Sequence, residues 1–196
     1  MTVAIERVVG AAIADHLPAL AALRIAVFRE WPYLYEGSPE YEQRYLASYA
    51  ASPDGVVVIA RDADRVVGAS TAMPLAQHSD DVVPPLAAAG LAPDTVCYFG
   101  ESVLDPAYRG QGLGHAFFAE REAHARAAGF AVAAFCAVER PADHPRRPPA
   151  YRPLDELWRR HGFVKRPDLV TTFSWRDVGD AAETAKPMVF WIKELA

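Results

Sequence analysis

The chain is 196 residues long, which is enough for one domain with a sizeable apolar core. Hydrophobic residues make up 52% of it, charged residues make up 23%, and the formal net charge is −5, which argues against a nucleic-acid-binding protein. Cys97 and Cys136 are the two cysteines, and they show no C-x-x-C spacing and follow no signal peptide, which indicates a reducing cytoplasm. No run approaches the roughly 18 apolar residues of a membrane span. We therefore expect a single cytoplasmic domain over residues 1–196, with neither a membrane nor a nucleic acid as partner.

Two helices are predicted after a first strand. Ala4–Val9 is the β-prone run that predicts the strand. The first helix is expected to start with Asp15 as its N-cap and to carry Pro18 in its first turn, where proline is tolerated. Ser38 and Pro39 have the order of a cap followed by an N1 proline, and they predict the start of the second helix.

The remaining apolar runs predict strands and short helices. A hairpin is expected from the runs 56–60 and 65–71, which a polar turn separates. The run 130–138 carries no charge, as expected for a strand that is buried on both faces. The other predicted elements are a short helix at 83–89, a strand over 96–104 interrupted at 100–102, a short helix at 154–161, and strands at 170–175 and 188–195.

The stretch from Val96 to Gly129 joins a strand, a glycine loop and a long helix. Asp105 and Pro106 break the strand, because proline lacks an N–H and has a fixed φ. The run RGQGLG at 109–114 follows, and a helical pattern begins inside it and ends at Gly129. Backbone N–H groups and a helix N-terminus are thereby directed at one place, and this arrangement suits a phosphate group.

The glycine loop fits two well-known nucleotide motifs poorly. A dinucleotide-binding fingerprint requires G-x-G-x-x-G, but His115 stands at the position of the last glycine and no acidic-ended second strand follows. A Walker A loop requires G-K-[ST], and this loop has no lysine. A glycine-rich β–α turn without any ligand stays open as an alternative.

The run RGQGLG resembles the [RQ]-x-x-G-x-[GA] pyrophosphate loop of the GNAT superfamily of acyl-CoA-dependent N-acetyltransferases. The lead-in VLDPAYRG is similar to that family's strand end, and the predicted order of elements is similar to the family's layout over nearly the whole chain. The resemblance implies an α/β (α+β) fold whose mixed, largely antiparallel central sheet of about seven strands splays between strands four and five. It also implies about four helices, distributed over both faces of the sheet.

The resemblance implies acetyl-CoA, or another acyl-CoA, as co-substrate, and no metal ion. The loop amides and the helix dipole would hold the pyrophosphate, and Arg109 would add a charged contact to a phosphate. The pantetheine arm would lie between the splayed strands and pair with the backbone of strand four. The residues expected on these grounds to bind the cofactor are Val103, Leu104, Arg109, Gly110, Gln111, Gly112, Leu113, Gly114, Tyr151 and Trp158.

Glu101 is the candidate general base. An amine attacks a thioester only when it is neutral, so the site needs a base or a water relay to one. Glu101 is an isolated carboxylate in an otherwise apolar strand, where members of the family often carry the catalytic glutamate. Two other interpretations stay open: Glu101 is a strand-end charge paired with a nearby arginine, or it binds the cationic group of the substrate.

The resemblance leaves open which group protonates the departing thiolate. The family commonly uses a tyrosine four residues before a Gly-Phe pair, here at 162–163, and this chain has Trp158 at that position. Indole is not an acid at neutral pH. Tyr151 replaces an asparagine that is often seen earlier in that segment. Cys136, Tyr151 and His161 are alternative proton donors, and the sequence does not rank them. Departure of the thiolate without protonation is a further alternative.

Cys136 is the second catalytic candidate. With Asp143 and His144 nearby in sequence, it could be the nucleophile of a Cys-His-Asp arrangement in a thiol hydrolase. The favoured alternative is a small buried hydrophobe, with Asp143 and His144 in a lid that binds the acceptor. The six histidines show no H-x-x-x-H or H-E-x-x-H spacing, so no metal site is predicted.

The aromatic segment between the first two helices is the predicted acceptor site. This segment covers the acceptor in the family, so the resemblance implies that Trp31, Tyr33 and Tyr35 bind the substrate. Aromatic rings hold a cationic amine by cation–π attraction. Core packing is the alternative for these three residues, and it is the favoured interpretation for a tyrosine stripe at positions 41, 45 and 49 of the second helix.

Together these inferences predict an N-acyltransferase that moves an acetyl group from acetyl-CoA to a small-molecule amine by direct attack in a ternary complex. The alternatives are a non-catalytic acyl-CoA-binding or sensor domain, which Trp158 makes plausible, and, more remotely, a thiol hydrolase based on Cys136. The strand at 188–195 is also a candidate for pairing across a homodimer, as in some members of the family.

Overall fold

The computed structural model describes residues 3–78 and 81–195, which form one seven-stranded sheet with helices on both faces. The strands are β1 (Ala4–Val9), β2 (Val56–Asp62), β3 (Arg65–Pro74), β4 (Val96–Leu104), β5 (Val132–Val138), β6 (Val164–Arg176) and β7 (Glu183–Glu194). Their order across the sheet is β1-β2-β3-β4-β5-β7-β6, and each neighbouring pair is antiparallel except β4 with β5. The predicted mixed, largely antiparallel sheet is therefore confirmed.

The helices of the described residues lie on the two faces of this sheet. They are α1 (Leu17–Phe28), α2 (Pro39–Ala51), α3 (Val83–Ala88), α4 (Leu113–Ala127) and α5 (Asp155–Arg160). Side chains of β2 alternate between the faces, because successive residues of a strand point in opposite directions. Val57 and Ile59 share a core cluster with residues of α1 and α2, whereas Val58 and Ala60 share one with residues of α4. The sheet thus separates α1 and α2 from α4.

The start of α2 follows its sequence signal, but the start of α1 does not. The Ser38 hydroxyl accepts a hydrogen bond from the Tyr41 N–H at 3.3 Å, which confirms the predicted cap. The prediction of Asp15 as a cap is wrong, because a 3-10 helix spans Gly10–His16 and α1 follows it directly with His16 as N-cap. The chain is already helical at Asp15, so no free helix end exists there to be capped.

β4 and β5 run side by side only at their start. Their paired residues are Val96 with Val132, Cys97 with Ala133 and Tyr98 with Ala134. Beyond these residues β4 continues to pair with β3 and β5 with β7, so the two strands diverge and a gap opens between their C-terminal halves. This divergence confirms the predicted splay, and the carboxyl ends of parallel strands are a common place for a ligand.

The last strand of the chain, β7, is an interior strand of the sheet. The sequence predicts this strand at 188–195, but β7 already begins at Glu183. β7 pairs with β5 along one edge and with β6 along the other. The prediction that residues 188–195 pair across a homodimer is therefore wrong, because both edges of that strand already have partners within the chain.

One helical segment of the described chain, Gly10–Phe28, is long and apolar enough to cross a membrane by length and composition alone, with a mean hydropathy of 1.5. This segment is not an uninterrupted run of apolar residues, because it contains Asp15 and Arg24. One such segment is weak evidence for a membrane span, since core helices of soluble proteins meet the same criterion. Here Leu20 and Ala21 pack in the core of the sheet.

Candidate active site

A cavity of about 900 Å³ lies where β4 and β5 diverge. Its walls come from both strands, the glycine loop with the start of α4, the segment between α1 and α2, and α5 with the segment before it. The predicted site residues that line it are Trp31, Tyr33, Glu101, Leu104, Arg109, Gly110, Gly112, Leu113, Gly114, Cys136, Tyr151 and Trp158. The predicted site residues that do not line it are Tyr35, Val103, Gln111, Asp143 and His144.

The segment before α4 is anchored to the turn between β2 and β3. The Asp105 carboxylate accepts a hydrogen bond from the Ala107 N–H at 3.0 Å and forms an ion pair with Arg65. The Tyr108 hydroxyl donates to the Asp62 carboxylate at 2.6 Å. These contacts hold the entry to the glycine loop in one place relative to the sheet.

Two glycines of the loop have backbone conformations that other residues rarely adopt. The φ angles of Gly110 and Gly112 are +77° and +82°, and a Cβ atom at either position would meet no atom within 4 Å. Glycine is therefore required here by the left-handed backbone and not by a lack of space. Gly112 is the N-cap of α4 and has no side chain to accept from the first helical N–H groups. The His115 N–H donates to the Gly112 carbonyl at 3.0 Å, whereas the N–H groups of Leu113 and Gly114, together with the helix dipole, remain available to an anion.

Arg109 and Gln111 in this loop, and Val103 in β4, are also predicted to bind the cofactor. The Arg109 guanidinium forms an ion pair with Glu30 at 2.9 Å and donates to the Leu104 carbonyl at 3.3 Å. A contact from Arg109 to a phosphate would therefore compete with Glu30. The Val103 side chain is buried with α1 and α2, which leaves only its backbone for a cofactor. The Gln111 side-chain amide donates to the Ala107 carbonyl at 3.4 Å.

A β-bulge sets the direction of the Glu101 side chain. Ser70 pairs with Ser102 and Ala72 pairs with Phe99, so Gly100 and Glu101 both stand opposite Thr71. A Cβ atom at Gly100 would lie 2.1 Å from the Tyr49 hydroxyl, so this position needs glycine. The extra residue leaves the Glu101 side chain on the face of the sheet that α1 and α2 cover, at the wall of the cavity.

Glu101 is paired with an arginine, as one interpretation of the sequence predicts. Its Oε1 atom lies 2.6 Å from Nη1 of Arg24, and its Oε2 atom accepts a hydrogen bond from the Tyr45 hydroxyl at 3.1 Å. Oε1 is buried and has no hydrogen-bond donor in good geometry. Burial opposes the charge of Arg24, but the Glu101 carboxylate, with Tyr45 and Glu42, raises the pKa of the guanidinium well above its ordinary value. Arg24 therefore stays charged.

Arg121 supports the bulge from the opposite face. This side chain of α4 is 2% exposed and lines the cavity. It donates through Nη1 to the carbonyls of Thr71 and Glu101 at 3.4 Å each and through Nη2 to the Ser102 hydroxyl at 2.9 Å. Burial lowers the pKa of Arg121 to about 10, although Cys97 and Glu101 act against this effect. The guanidinium is still charged at neutral pH.

Arg24, Tyr45 and Arg121 are contacts of Glu101 that the sequence either did not indicate or assigned to the core. The signal for the two arginines is positional, because each lies on the apolar stripe of its helix. Arg24 follows Leu20 at a spacing of four residues, and Arg121 follows Phe117 at the same spacing. A charge on a buried stripe needs a partner, and that partner is the bulge of β4.

Cys136 and His144 have different neighbours. The Cys136 sulfur lies 3.0 Å from the Tyr98 hydroxyl, and burial raises the pKa of the thiol to about 12. The His144 ring instead packs on Trp31, with ring centroids 5.0 Å apart, and Asp143 is exposed. Because the thiolate is the nucleophilic form, this arrangement does not favour a Cys-His-Asp nucleophile. Cys136 behaves as a small buried residue at the cavity wall.

The aromatic segment between α1 and α2 places two of its three predicted acceptor residues at the cavity. Trp31 and Tyr33 line it, and Arg140 holds their loop by donating to the carbonyls of Pro32 at 3.0 Å and Tyr33 at 2.8 Å. The indole Nε1 of Trp31 is buried without a hydrogen-bond partner. Tyr35 points elsewhere, because its ring packs against that of Tyr41 at 6.5 Å.

The tyrosine stripe of α2 is only partly in the core. Tyr49 is fully buried, but Tyr41 is 50% exposed and Tyr45 donates to Glu101. The prediction of core packing is therefore wrong for Tyr41, since α2 turns its start towards solvent.

Two groups near the cavity, Tyr151 and His161, could protonate a leaving thiolate. Burial raises the pKa of Tyr151 and keeps its hydroxyl protonated. His161 lies 2.8 Å from His115, and burial together with that neighbour lowers the pKa of His161. Trp158 fills the position of the expected tyrosine, where its ring packs edge-on against Phe135 at 5.1 Å. Its indole lines the cavity as an apolar wall.

In residues 3–78 and 81–195, no group of three or more His, Cys, Asp or Glu side chains could hold a metal ion. The polar groups that surround the cavity are backbone N–H donors at the start of α4, the Glu101 carboxylate, which accepts, and tyrosine hydroxyls. This set suits a phosphate-bearing ligand at one end and a hydrogen-bond donor at the other.

The sequence model of the acetyltransferase (GNAT) family matches residues 20–163, which is more than half of the chain. No curated protein matches the chain. Many solved structures share its fold, among them the following three. An N-acetyltransferase from Staphylococcus aureus Mu50 is 13% identical, with full coverage of both chains and a TM-score of 0.63. YncA from Salmonella typhimurium, solved with its cofactor acetyl-CoA, is 14% identical over 100% of this chain and 95% of that one, with a TM-score of 0.61.

The third structure is the ribosomal-protein-alanine N-acetyltransferase from Brucella melitensis. It is 17% identical to this chain, covers 97% of this chain and 99% of its own, and has a TM-score of 0.61. At these identities the structures show a common fold, and the family match is carried by the sequence itself. The glycine loop at 109–114, the splayed strands and the matched residues together show that the chain belongs to the acetyltransferase (GNAT) family.

Proposed function

We propose that the protein transfers an acetyl group from acetyl-CoA to a small-molecule amine by direct attack in a ternary complex. The observation that carries this proposal is the continuous cavity that reaches from the start of α4 to Glu101. One end offers backbone N–H groups to a phosphate, and the other offers a carboxylate to an amine. A thioester that spans the cavity would lie in the gap between β4 and β5. The proposed location is the cytoplasm, where the buried free thiols of Cys97 and Cys136 would stay reduced.

The family match and one solved structure support acetyl-CoA as the co-substrate. YncA was solved with acetyl-CoA, and the family match includes the glycine loop of this chain. The N-cap Gly112 and the left-handed Gly110 give this loop the backbone that an anion requires. An acyl-CoA would place its pyrophosphate at these amides and its pantetheine arm between the strands.

The cavity lining near Glu101 and Trp31 supports an amine acceptor with an apolar body. The Glu101 carboxylate, which is paired with Arg24, can accept from the N–H of an amine, and the Trp31 indole N–H, which has no hydrogen-bond partner, can donate to an oxygen elsewhere in the acceptor. Both residues line the cavity, and the wall near them is largely apolar, with Val27, Phe28 and Val138 among its residues. A small amine with an aliphatic or aromatic body fits this wall best.

The transfer itself conserves atoms and charge. The neutral amine nitrogen forms a bond to the thioester carbonyl carbon, and the carbon–sulfur bond breaks with its electron pair on sulfur. Glu101, directly or through a water molecule, takes the proton that the nitrogen loses. The thiolate leaves as an anion or takes a proton from a neighbouring group, for which Tyr151 is available at the cavity wall.

A non-catalytic acyl-CoA-binding or sensor domain is the second candidate. Two observations favour it: Trp158 cannot donate a proton to the thiolate, and Arg24 already occupies one side of the Glu101 carboxylate. Both candidates require acyl-CoA binding, so the first experiment tests binding and the second tests turnover.

The binding experiment is calorimetric titration of the protein with acetyl-CoA. We expect binding by the wild type and at least about tenfold weaker binding by Gly112→Glu, because the new carboxylate would repel the phosphates. Gly129→Glu is the matched control, since Gly129 also has φ +82° and open space around it, at the other end of α4. No binding by the well-folded wild type would remove the acyltransferase hypothesis, and equal binding by the two variants would remove the glycine loop from the site.

The turnover experiment compares Glu101→Gln with the wild type, measured as release of the CoA thiol with a panel of primary amines. We expect Glu101→Gln to bind acetyl-CoA normally and to lose about 10²-fold or more in kcat/KM, the usual contribution of a general base. Glu40→Gln, an exposed position of α2, is the control for loss of one negative charge. Full turnover by Glu101→Gln would exclude Glu101 as the base, and no turnover with any amine by a wild type that binds would favour the sensor.

A further inference from the structure

We propose that Glu42 and Arg24 are positioning residues for Glu101: two carboxylates share one buried guanidinium, and Glu42 thereby sets how strongly Glu101 holds a proton or an amine. The inference rests on the role proposed above for Glu101. Glu42 does not line the cavity, so its influence must pass through Arg24. A residue outside the cavity thus influences the chemistry inside it.

The contacts of Arg24 show how it is shared. Its Nε atom donates to Oε2 of Glu42, and its Nη1 atom lies 2.6 Å from Oε1 of Glu101. Arg24 is 8% exposed, Glu101 is also 8% exposed and Glu42 is fully buried. α1, α2 and β4 each contribute one of these three residues. In a buried site the attraction between such charges is screened much less than at the surface.

The three residues carry one more negative charge than positive charge. The other titratable groups that face them are Tyr33 and Tyr35 from the aromatic segment, Tyr41, Tyr45 and Tyr49 from α2, and Arg121 from α4. Burial raises the pKa of each of these tyrosines, so all five are neutral at neutral pH. Arg121 binds the carbonyl of Glu101, not its carboxylate.

This charge balance has a consequence for Glu101. Arg24 favours the ionised form of a neighbouring carboxylate, and a second carboxylate on the same guanidinium disfavours it. Glu42 therefore competes with Glu101 for the positive charge of Arg24. Oε1 of Glu101 is the oxygen that contacts Arg24, so a change at Arg24 acts directly on this carboxylate.

A purely structural ion-pair network is the alternative interpretation. Such a network would join α1, α2 and β4, and its loss would lower stability without changing the protonation of Glu101. An uncharged glutamine side chain in place of Glu42 could still accept the hydrogen bond from Arg24 Nε, so Glu42→Gln keeps this hydrogen bond and removes only the charge. This substitution therefore separates the two interpretations.

The test is the pH titration of the Glu101 carboxyl carbon by ¹³C NMR, with the signal assigned by its absence in Glu101→Gln. We expect the midpoint to fall by about one pH unit in Glu42→Gln, because Arg24 then acts on Glu101 alone. In the double variant Arg24→Gln/Glu42→Gln the cluster keeps its net charge but loses its cation, and we expect the midpoint to rise above that of the wild type. Glu40→Gln is the matched control on α2 and should leave it unchanged.

An unchanged midpoint in both folded variants would overturn the proposal, as would a shift in the same direction in both. Folding is checked by calorimetric binding of acetyl-CoA, and either variant alone decides the question if the other does not fold. The NMR titration needs no turnover, so its result does not depend on an amine substrate. If an amine substrate is found, the acid limb of kcat/KM should move with the NMR midpoint, because ionisation of the free amine is common to all variants.

Discussion

At the scale of single residues, buried charges determine the candidate site more than its aromatic side chains do. Arg24 and Arg121 approach the bulge of β4 from opposite faces of the sheet, and one binds the carboxylate of Glu101 while the other binds its carbonyl. A charge in a buried position is stable only where it has partners, so each arginine restricts the bulge to one conformation. The bulge in turn holds Glu101 at the cavity.

Cys136→Ser tests the remaining covalent alternative. With the pKa of its thiol raised to about 12 by burial, Cys136 is protonated at neutral pH, and we expect the variant to keep acyl transfer within a few-fold. Cys97→Ser is the matched control, since Cys97 is equally free and buried but does not line the cavity. Complete loss of turnover in Cys136→Ser alone, with acetyl-CoA binding retained, would contradict this prediction and support a covalent route.

At the scale of secondary-structure elements, α2 connects the fold to the site. Its N-terminus is fixed by the Ser38 cap, and its buried face carries Glu42, Tyr45 and Tyr49 towards the bulge. The start of α4 differs, because Gly112 has no side chain that could cap the helix, which leaves backbone N–H groups for a ligand. A helix end that is closed by a side chain gives stability, and one that is left open gives a binding site.

Removal of the α2 cap should lower stability without removing the site. We expect Ser38→Ala to reduce the free energy of unfolding in urea by about 1 kcal/mol, the usual contribution of a serine cap. Ser48→Ala serves as the comparison, since Ser48 lies in the exposed interior of the same helix and alanine favours helix there. Equal effects of the two substitutions would show that the Ser38 hydroxyl does not stabilise α2.

At the scale of the whole molecule, apolar side chains pack on both faces of the sheet. The His78 ring lies next to the Tyr98 ring, with ring centroids 4.5 Å apart. Burial lowers the pKa of His78 from 6.5 to about 4. The unfolded chain therefore binds more protons than the native one between these values, so the native state loses stability as the pH falls through that range.

This linkage predicts an acid sensitivity of the whole fold. We expect the free energy of unfolding to fall by up to about 3 kcal/mol between pH 7 and pH 4 because of His78. His78→Gln should flatten that part of the pH profile, measured by urea denaturation, whereas His124→Gln on α4 should keep the slope of the wild type. An unchanged slope in His78→Gln would contradict the assignment.

Local sequence signals by themselves determined which segments form strands, but not where β6 and β7 begin. They also determined the glycine loop and the α2 cap, because periodicity, glycine content and capping act over a few neighbouring residues. They also identified Glu101 as an isolated carboxylate. Only the tertiary structure decided that β7 is interior, that Tyr35 faces away from the cavity and that Arg24 joins Glu42 to Glu101. These features depend on contacts between residues far apart in the chain, and no local pattern records which buried charge meets which partner.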